Sequence, residues 1–261
     1  MLLEIKNLSG GYGSGDVVKD ISCAAYSGEI VCLVGPNGCG KTTLFRLILG
    51  FLAASKGNIN IDGRSTKELS LRERANLIAY IPQQHTPVFS YTSLDIVIMG
   101  RAGHFSAFDT PGAIDRGTAF YALKKLNIEH LANKKYTTLS GGERQLVLIA
   151  RALCQAAKLI VMDEPGANLD YANQQLLTDT LRELAANGYC IIMSTHSPEF
   201  PVSVGHKALL MKDGHMAAFG ASKDVVTSDI LEKIYGIPID VLSVKDRYGN
   251  TRTICLPVKN I

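Results

Sequence analysis

Two kinds of apolar pattern run along this chain of 261 residues. Residues 2–8 alternate apolar and polar side chains, and so does part of 17–26. Such alternation predicts strands with one buried and one wet face, as in an antiparallel sheet. Between them, Ser9-Gly10-Gly11-Tyr12-Gly13-Ser14-Gly15 predicts a loop. Asn58-Ile59-Asn60-Ile61-Asp62-Gly63 predicts a further short strand and turn. Four other runs, at 30–34, 159–162, 190–194 and 208–211, are apolar almost throughout. Uninterrupted runs of this length suit parallel strands covered on both faces. Helical patterns lie between them, which predicts right-handed βαβ units. The expected fold is α/β, with a mostly parallel sheet and an N-terminal antiparallel β-subdomain.

The stretch from about 85 to 140 has a different character. Leu94-Asp95-Ile96-Val97-Ile98-Met99 leads into a Gly-, Phe- and Pro-rich loop from Gly100 to Pro111. Ala113–Leu126 then reads as a long amphipathic helix, with Ile114, Ala119, Tyr121, Ala122, Leu123 and Leu126 available for packing. This predicts an inserted helical subdomain over 85–144, between core segments 1–84 and 145–220. Beyond it, 221–261 predicts an extension: a helix over Val225–Tyr235, then a hairpin of Val241–Val244 and Thr253–Leu256 around Tyr248-Gly249-Asn250.

Composition narrows the picture. A hydrophobic fraction of 46% is ample for a globular core. No apolar run approaches the ~18 residues that span a bilayer, and Met1–Lys6 reads as a strand, not a signal peptide. A soluble chain is expected, with any membrane role supplied by a partner. A formal net charge of +3 gives no argument for nucleic acid. Six cysteines without a Cys-x-x-C pair suit a reducing compartment.

The chemistry concentrates where apolar runs end. After Ile30–Val34 comes Gly35-Pro36-Asn37-Gly38-Cys39-Gly40-Lys41-Thr42, followed by the helical Thr43–Leu49. A strand, a loop of this spacing and a helix form a phosphate cradle, with amides and a helix N-terminus turned on an anion. Lys41 would reach the β- and γ-phosphates of ATP, and the Thr42 hydroxyl would ligate Mg²⁺. Leu139-Ser140-Gly141-Gly142-Glu143 opens a second helix, with Ser140 as N-cap and Glu143 three residues on. Leu159–Met162 runs into Asp163-Glu164, and Ile191–Thr195 into His196. Asp163 is expected to face the metal through water. Glu164, the next residue along a strand, would point the other way, toward the attacking water.

With these residues in this order, the chain resembles the nucleotide-binding subunits of ABC transporters over roughly 2–240. The resemblance makes Gly35–Thr42 the Walker A loop, with Thr43 beside it. Gln83, directly after Pro82, becomes the Q-loop glutamine and a metal and catalytic candidate, in preference to Gln84. Leu139–Glu143 is the signature, Leu159–Glu164 Walker B, Ala167–Asp170 the D-loop and His196 the switch histidine. Tyr12 takes the adenine-stacking position. The same resemblance implies a head-to-tail dimer with a second copy. There Ser140, Gly141, Gly142 and Asp170 meet the nucleotide held by the partner. It also implies a separate membrane permease that holds the chain at the cytoplasmic face of the membrane, and a periplasmic or extracellular substrate-binding protein. Gly166 stands where the family commonly has Thr or Ser.

Gly100-Arg101-Ala102-Gly103-His104-Phe105, then Phe108-Asp109 and Asp115, is similar to the ATPases that import iron siderophores, haem and cobalamin, though Gly103 replaces the usual Pro. The tail Ile234–Ile239 is similar to that group too. Phe105 and Phe108 become candidate permease anchors. Cys39, inside the loop, becomes a candidate reactive thiol. The competing readings are a non-transport ABC ATPase and a phosphate-loop kinase. The first lacks support from any coiled-coil insertion or basic arm, and the signature opposes the second.

Overall fold

The computed structural model describes residues 1–13, 15–83, 85, 89–104, 110–167 and 169–258. The chain begins β1 (Leu3–Tyr12), β2 (Gly15–Ala25), β3 (Ile30–Val34), α1 (Lys41–Leu49), β4 (Lys56–Ile61), β5 (Arg64–Ser65), α2 (Leu71–Leu77) and β6 (Ile78–Ile81). Next come α3 (Ser93–Ile98), a 3₁₀ turn (Met99–His104), α4 (Ala113–Lys125) and α5 (Gly141–Gln155). Then follow β7 (Leu159–Met162), α6 (Tyr171–Ala186), β8 (Cys190–Thr195), α7 (Phe200–Val204), β9 (Lys207–Lys212) and β10 (His215–Ala221). The chain continues through α8 (Ser222–Val225), α9 (Ser228–Tyr235), β11 (Ile239–Lys245) and β12 (Thr251–Pro257).

The central sheet has the order β10-β9-β3-β8-β7-β6. β9, β3, β8, β7 and β6 pair in parallel, and β10 closes one edge antiparallel. Strand parity explains the uninterrupted apolar runs. Ile30, Cys32 and Val34 of β3 face one apolar core, which contains α3, α4, α5 and α6. Val31 and Leu33 face the other, shared with α1 and the sheet β2-β1-β4-β5. Each face of the strand is thus buried, as a parallel sheet requires. Because the strands are parallel, the segments after β3, β6, β7 and β8 all emerge on one edge. In open parallel sheets that carboxyl edge is where ligands bind.

The structure corrects four details of the expected layout. The predicted loop 9–15 is strand on both sides of a tight turn: Gly10 pairs with Val18, Gly11 with Asp16 and Tyr12 with Gly15. A Cβ on Gly11 would run into the Gly15 carbonyl and the Val17 amide, so glycine here serves close strand approach rather than a loose loop. In the predicted loop from Gly100, residues 99–104 form the 3₁₀ turn. Gly100 lies so close to the Arg151 carbonyl of α5 that no side chain would fit. In α4, Ala119, Ala122 and Leu123 are buried as expected, but Ile114 is 82% exposed and Tyr121 lies on the surface, with the Lys125 ammonium above its ring. The expected helix over 225–235 is present as α9 but starts at Ser228, since Thr227 caps it by accepting from the Ile230 amide, while Val225 ends the separate short helix α8. The predicted C-terminal hairpin is present as β11–β12.

Candidate active site

The first half of the site is the link from β3 to α1. Gly38 and Gly40 adopt φ of 80° and 108°, which side chains rarely tolerate, and the tip at Asn37 and Gly38 is open to solvent. Gly35 sits against the Met211 carbonyl and the Cys39 sulfur, with no room for a Cβ. The neighbouring β9–β10 turn supports the loop, because the Gly214 amide donates to the Cys39 carbonyl at 3.0 Å. Lys41 is buried, and its ammonium donates to the Gly35 (2.6 Å) and Pro36 (3.1 Å) carbonyls. The cation therefore lies folded over the loop, at the start of a nine-residue helix with seven buried residues. Left-handed glycines, a buried cation and a helix N-terminus form a donor set that fits a nucleotide's phosphates.

The second half is the carboxyl end of β7 and β8. The Thr42 hydroxyl donates to Asp163 Oδ2 at 3.3 Å. Asp163 Oδ1 accepts from Ser194 Oγ at 2.6 Å, and Ser194 Oγ in turn accepts from the Glu164 amide at 2.8 Å. Ser194 is fully buried on β8, so this one hydroxyl aligns both acidic residues. Sequence reasoning missed it. Its only signal was a small polar residue directly after the apolar run Ile191–Met193.

The reasoning that separated the two carboxylates also needs correction. β7 stops at Met162, so strand alternation does not govern 163–164. Glu164 instead takes φ of 45°, a left-handed conformation that costs a non-glycine residue about 1–2 kcal/mol. This turn, held by the Ser194 bond, aims Glu164 away from Asp163.

Glu164 meets two of the predicted residues. Gln83 Nε2 donates to its Oε2 at 2.8 Å, and His196 Nδ1 lies 3.6 Å from the same oxygen. Beside them is a cavity of about 170 Å³, lined by Glu164, Gly166, Ala167, Gln174, His196 and Phe200 among others. Tyr12 is half-exposed at the tip of β1, and its hydroxyl accepts from Arg46 of α1 at 2.7 Å.

The signature residues stand apart from this network. Ser140 Oγ accepts from the Glu143 amide while Glu143 accepts from the Ser140 amide, a reciprocal cap at the start of α5. These bonds hold the Glu143 carboxyl below its ordinary range, the Ser140 amide most of all. Gly142 is pressed onto Asn173, whose amide is capped by Asp170 Oδ1 at 2.8 Å, so the signature and the start of α6 lie together. Among the described residues, no hydrogen bond or ion pair joins Ser140–Gly142 to Lys41, Thr42, Asp163 or Glu164.

Cys39 departs from expectation. Its side chain is 2% exposed, packed in the core under Gly35, and burial raises its thiol pKa against a smaller lowering by Lys41. It is a packed small hydrophobe, not an activated thiol. Gln84, Phe105, Phe108, Asp109 and Asn168 lie outside the described residues. Thr43 is buried on α1.

A phosphate loop on a parallel sheet, with a strand-end Asp-Glu pair aligned opposite its Lys-Thr, defines a phosphate-loop NTPase. The chain belongs more narrowly to the ABC transporter family of ATP-binding proteins: that family's model, described as "ABC transporter", matches residues 18–167. The molybdate import ATP-binding protein of Haemophilus influenzae is 35% identical over 91% of this chain and 89% of its own. The hemin import ATP-binding protein of Myxococcus xanthus is 30% identical over 93% and 92%. A solved inward-facing, putative metal-chelate type ABC transporter superposes with a TM-score of 0.89 at 32% identity, covering 99% and 98% of the chains. A dimeric ATP-binding cassette solved in a post-hydrolysis state with ADP and Pi gives 0.73 at 27% identity, over 85% and 99%. The chain is therefore an ATP-hydrolysing cassette of the transport type. Among the described residues, no helix is long and apolar enough to cross a membrane.

Proposed function

We propose that this chain powers uptake of a metal chelate of the iron-siderophore, haem or cobalamin type. It would work as a head-to-tail pair beneath a separate membrane permease, at the cytoplasmic face, with a substrate-binding protein outside. The observation that carries the catalytic reading is the chain of bonds Thr42–Asp163–Ser194–Glu164, which couples the phosphate loop to the acidic pair. Lys41, released from the Gly35 and Pro36 carbonyls, binds the phosphates of ATP. The Thr42 hydroxyl, Gln83 and Asp163 would hold Mg²⁺, which would supply charge neutralisation at those phosphates. Glu164 orients the attacking water and accepts its proton. Gln83 and His196 flank that carboxylate, and His196 extends toward the γ-phosphate. Tyr12 offers its ring to the adenine, with Arg46 holding its hydroxyl. Ser140, Gly141, Gly142 and Asp170 serve the nucleotide of the second copy.

A groove supports the permease reading. Between α1, α2, β6 and the 3₁₀ turn lies a depression of about 400 Å³, lined by Phe51, Leu71, Tyr80 and Met99. Phe51 is 67% exposed and Leu71 79%, an apolar surface beside the Gln83 segment that an amphipathic permease helix would cover. The likeness to a molybdate import protein favours a second reading of the cargo, an oxyanion. Vesicles carrying the permease, the binding protein and this chain decide between them. ATP-driven accumulation of hemin or a ferric chelate supports the first, and accumulation of molybdate alone supports the second. Phe51→Ser with Leu71→Asp should keep basal ATPase yet lose co-purification with the permease. Intact assembly would place the dock elsewhere.

A further inference from the structure

The segment carrying His196 has little structure of its own. β8 ends at Thr195 and α7 begins only at Phe200. Among the described residues, the local bonds of this stretch run from the Ser197 amide to Thr195 Oγ1 at 3.1 Å and, at its far end, from the Val202 and Ser203 amides of α7 to the Glu199 carbonyl. His196 leans out with 65% of its side chain exposed. A side chain so placed is aimed only as well as its backbone is held.

Two contacts from the C-terminal extension reach this segment, one at its backbone and one at the Glu199 side chain. The Tyr235 hydroxyl, at the end of α9, donates to the His196 carbonyl in a long bond of 3.4 Å. Glu199 Oε1 accepts from the Cys255 amide of β12 at 2.9 Å. The extension is itself anchored on the core. Leu231 and Ile234 of α9 are buried, and the Lys212 ammonium at the end of β9 donates to the Lys233 carbonyl at 2.6 Å. The hairpin is tied to α9 through the Val241 amide and Ser228 Oγ at 2.9 Å. Burial pushes the Tyr235 hydroxyl up to about 12, so it remains a donor at any physiological pH. Lys212 precedes the turn whose Gly214 supports the phosphate loop, so one strand end braces both that loop and α9.

We infer that the C-terminal extension sets the reach of His196 over the nucleotide, with Tyr235 and Glu199 as positioning residues. The inference rests on the proposed role of His196 at the γ-phosphate. Neither residue touches substrate; each restricts the segment 196–199, and through it the imidazole beside Glu164. Loosening that segment lowers the fraction of molecules with His196 in place, which acts on turnover and leaves ground-state nucleotide binding alone.

Four variants of the full chain test this: Tyr235→Phe, Glu199→Ala, Glu199→Gln and His196→Ala. Steady-state ATPase and amide hydrogen exchange are measured on each. Tyr235→Phe and Glu199→Ala should lower kcat about 3- to 10-fold, the scale of one lost hydrogen bond, with KM for ATP unchanged. Exchange should quicken across 196–204. Glu199→Gln keeps an acceptor for the Cys255 amide and should restore kcat. Tyr235→Phe keeps the packed ring, so it carries the test should Glu199→Ala fail to fold. Unchanged kcat in the folded tether variants overturns the inference, as does a Glu199→Gln impaired like Glu199→Ala. Full turnover in His196→Ala would instead remove the reading beneath it.

Discussion

The strand-end cluster and the signature turn are both closed hydrogen-bonded units, yet they are built to opposite ends. At the carboxyl edge of β7 and β8, bonds run between distant parts of the chain: Thr42 to Asp163, Ser194 to both acidic residues, Gln83 to Glu164. At the start of α5, Ser140 and Glu143 satisfy each other, and Gly142 backs onto Asn173. The first region collects its members around the phosphate loop. The second is a finished cap in which Ser140 and Gly141 remain exposed, and among the described residues no hydrogen bond joins it to the phosphate loop or the acidic pair. This separation of the two units within one chain is the physical basis for proposing that the signature covers the nucleotide of a second copy.

Removing the Glu164 carboxylate should do most damage to the first region. Glu164→Gln preserves shape and the Gln83 contact surface but cannot take a proton, and loss of a general base costs about 10²- to 10⁴-fold in rate. ATP binding should persist, measured by a fluorescent analogue; near-normal hydrolysis would break the catalytic assignment. Lys41→Ala should weaken nucleotide binding itself by about 10- to 100-fold, the scale of a charge-assisted bond. Unchanged affinity in a titration would show that this loop is not the phosphate site.

Ser194→Ala sharpens the comparison further. It removes the donor to Asp163 and the acceptor for the Glu164 amide, leaving the left-handed turn unsupported. A fall in kcat of about 10-fold is expected, with the fold intact by thermal melt. Wild-type turnover would mean that the hydroxyl aligns nothing that matters. The smallest effect belongs to Cys39. Burial raises its pKa, so the thiol stays protonated at pH 7 and thiolate appears only above the ordinary cysteine range. Maleimide should label it slowly in the native protein, equally with and without nucleotide, and quickly in urea. Rapid inactivating modification at pH 7 would contradict the packing seen here.

These contrasts also mark what a sequence discloses. Strand type was legible because alternation and unbroken apolar runs report how many faces are covered, as β1 and β3 show. Gly35–Thr42 and Asp163-Glu164 were legible because spacing after a strand is itself geometric information. Ser194 was not, since a lone serine in an apolar run reveals neither its neighbours nor its bonds. Nor was the left-handed Glu164, because a backbone turn held by a serine 30 residues further along the chain has no local signature in residue type. Cys39 misled for a related reason: the helix N-terminus was visible in the chain, while the core beneath the loop was not. Phe51 and Leu71, unremarkable in sequence, became a surface only when α1 and α2 brought them to one groove.

The shared site is the central claim, and one measurement addresses it directly. Glu164→Gln chains, with and without Ser140→Arg, are run in MgATP through size exclusion with light scattering. The account predicts a dimer for Glu164→Gln and a monomer for the double variant, with nucleotide still bound to each, because the new arginine lands on the facing copy's nucleotide. A double variant that still forms the ATP-dependent dimer would contradict it.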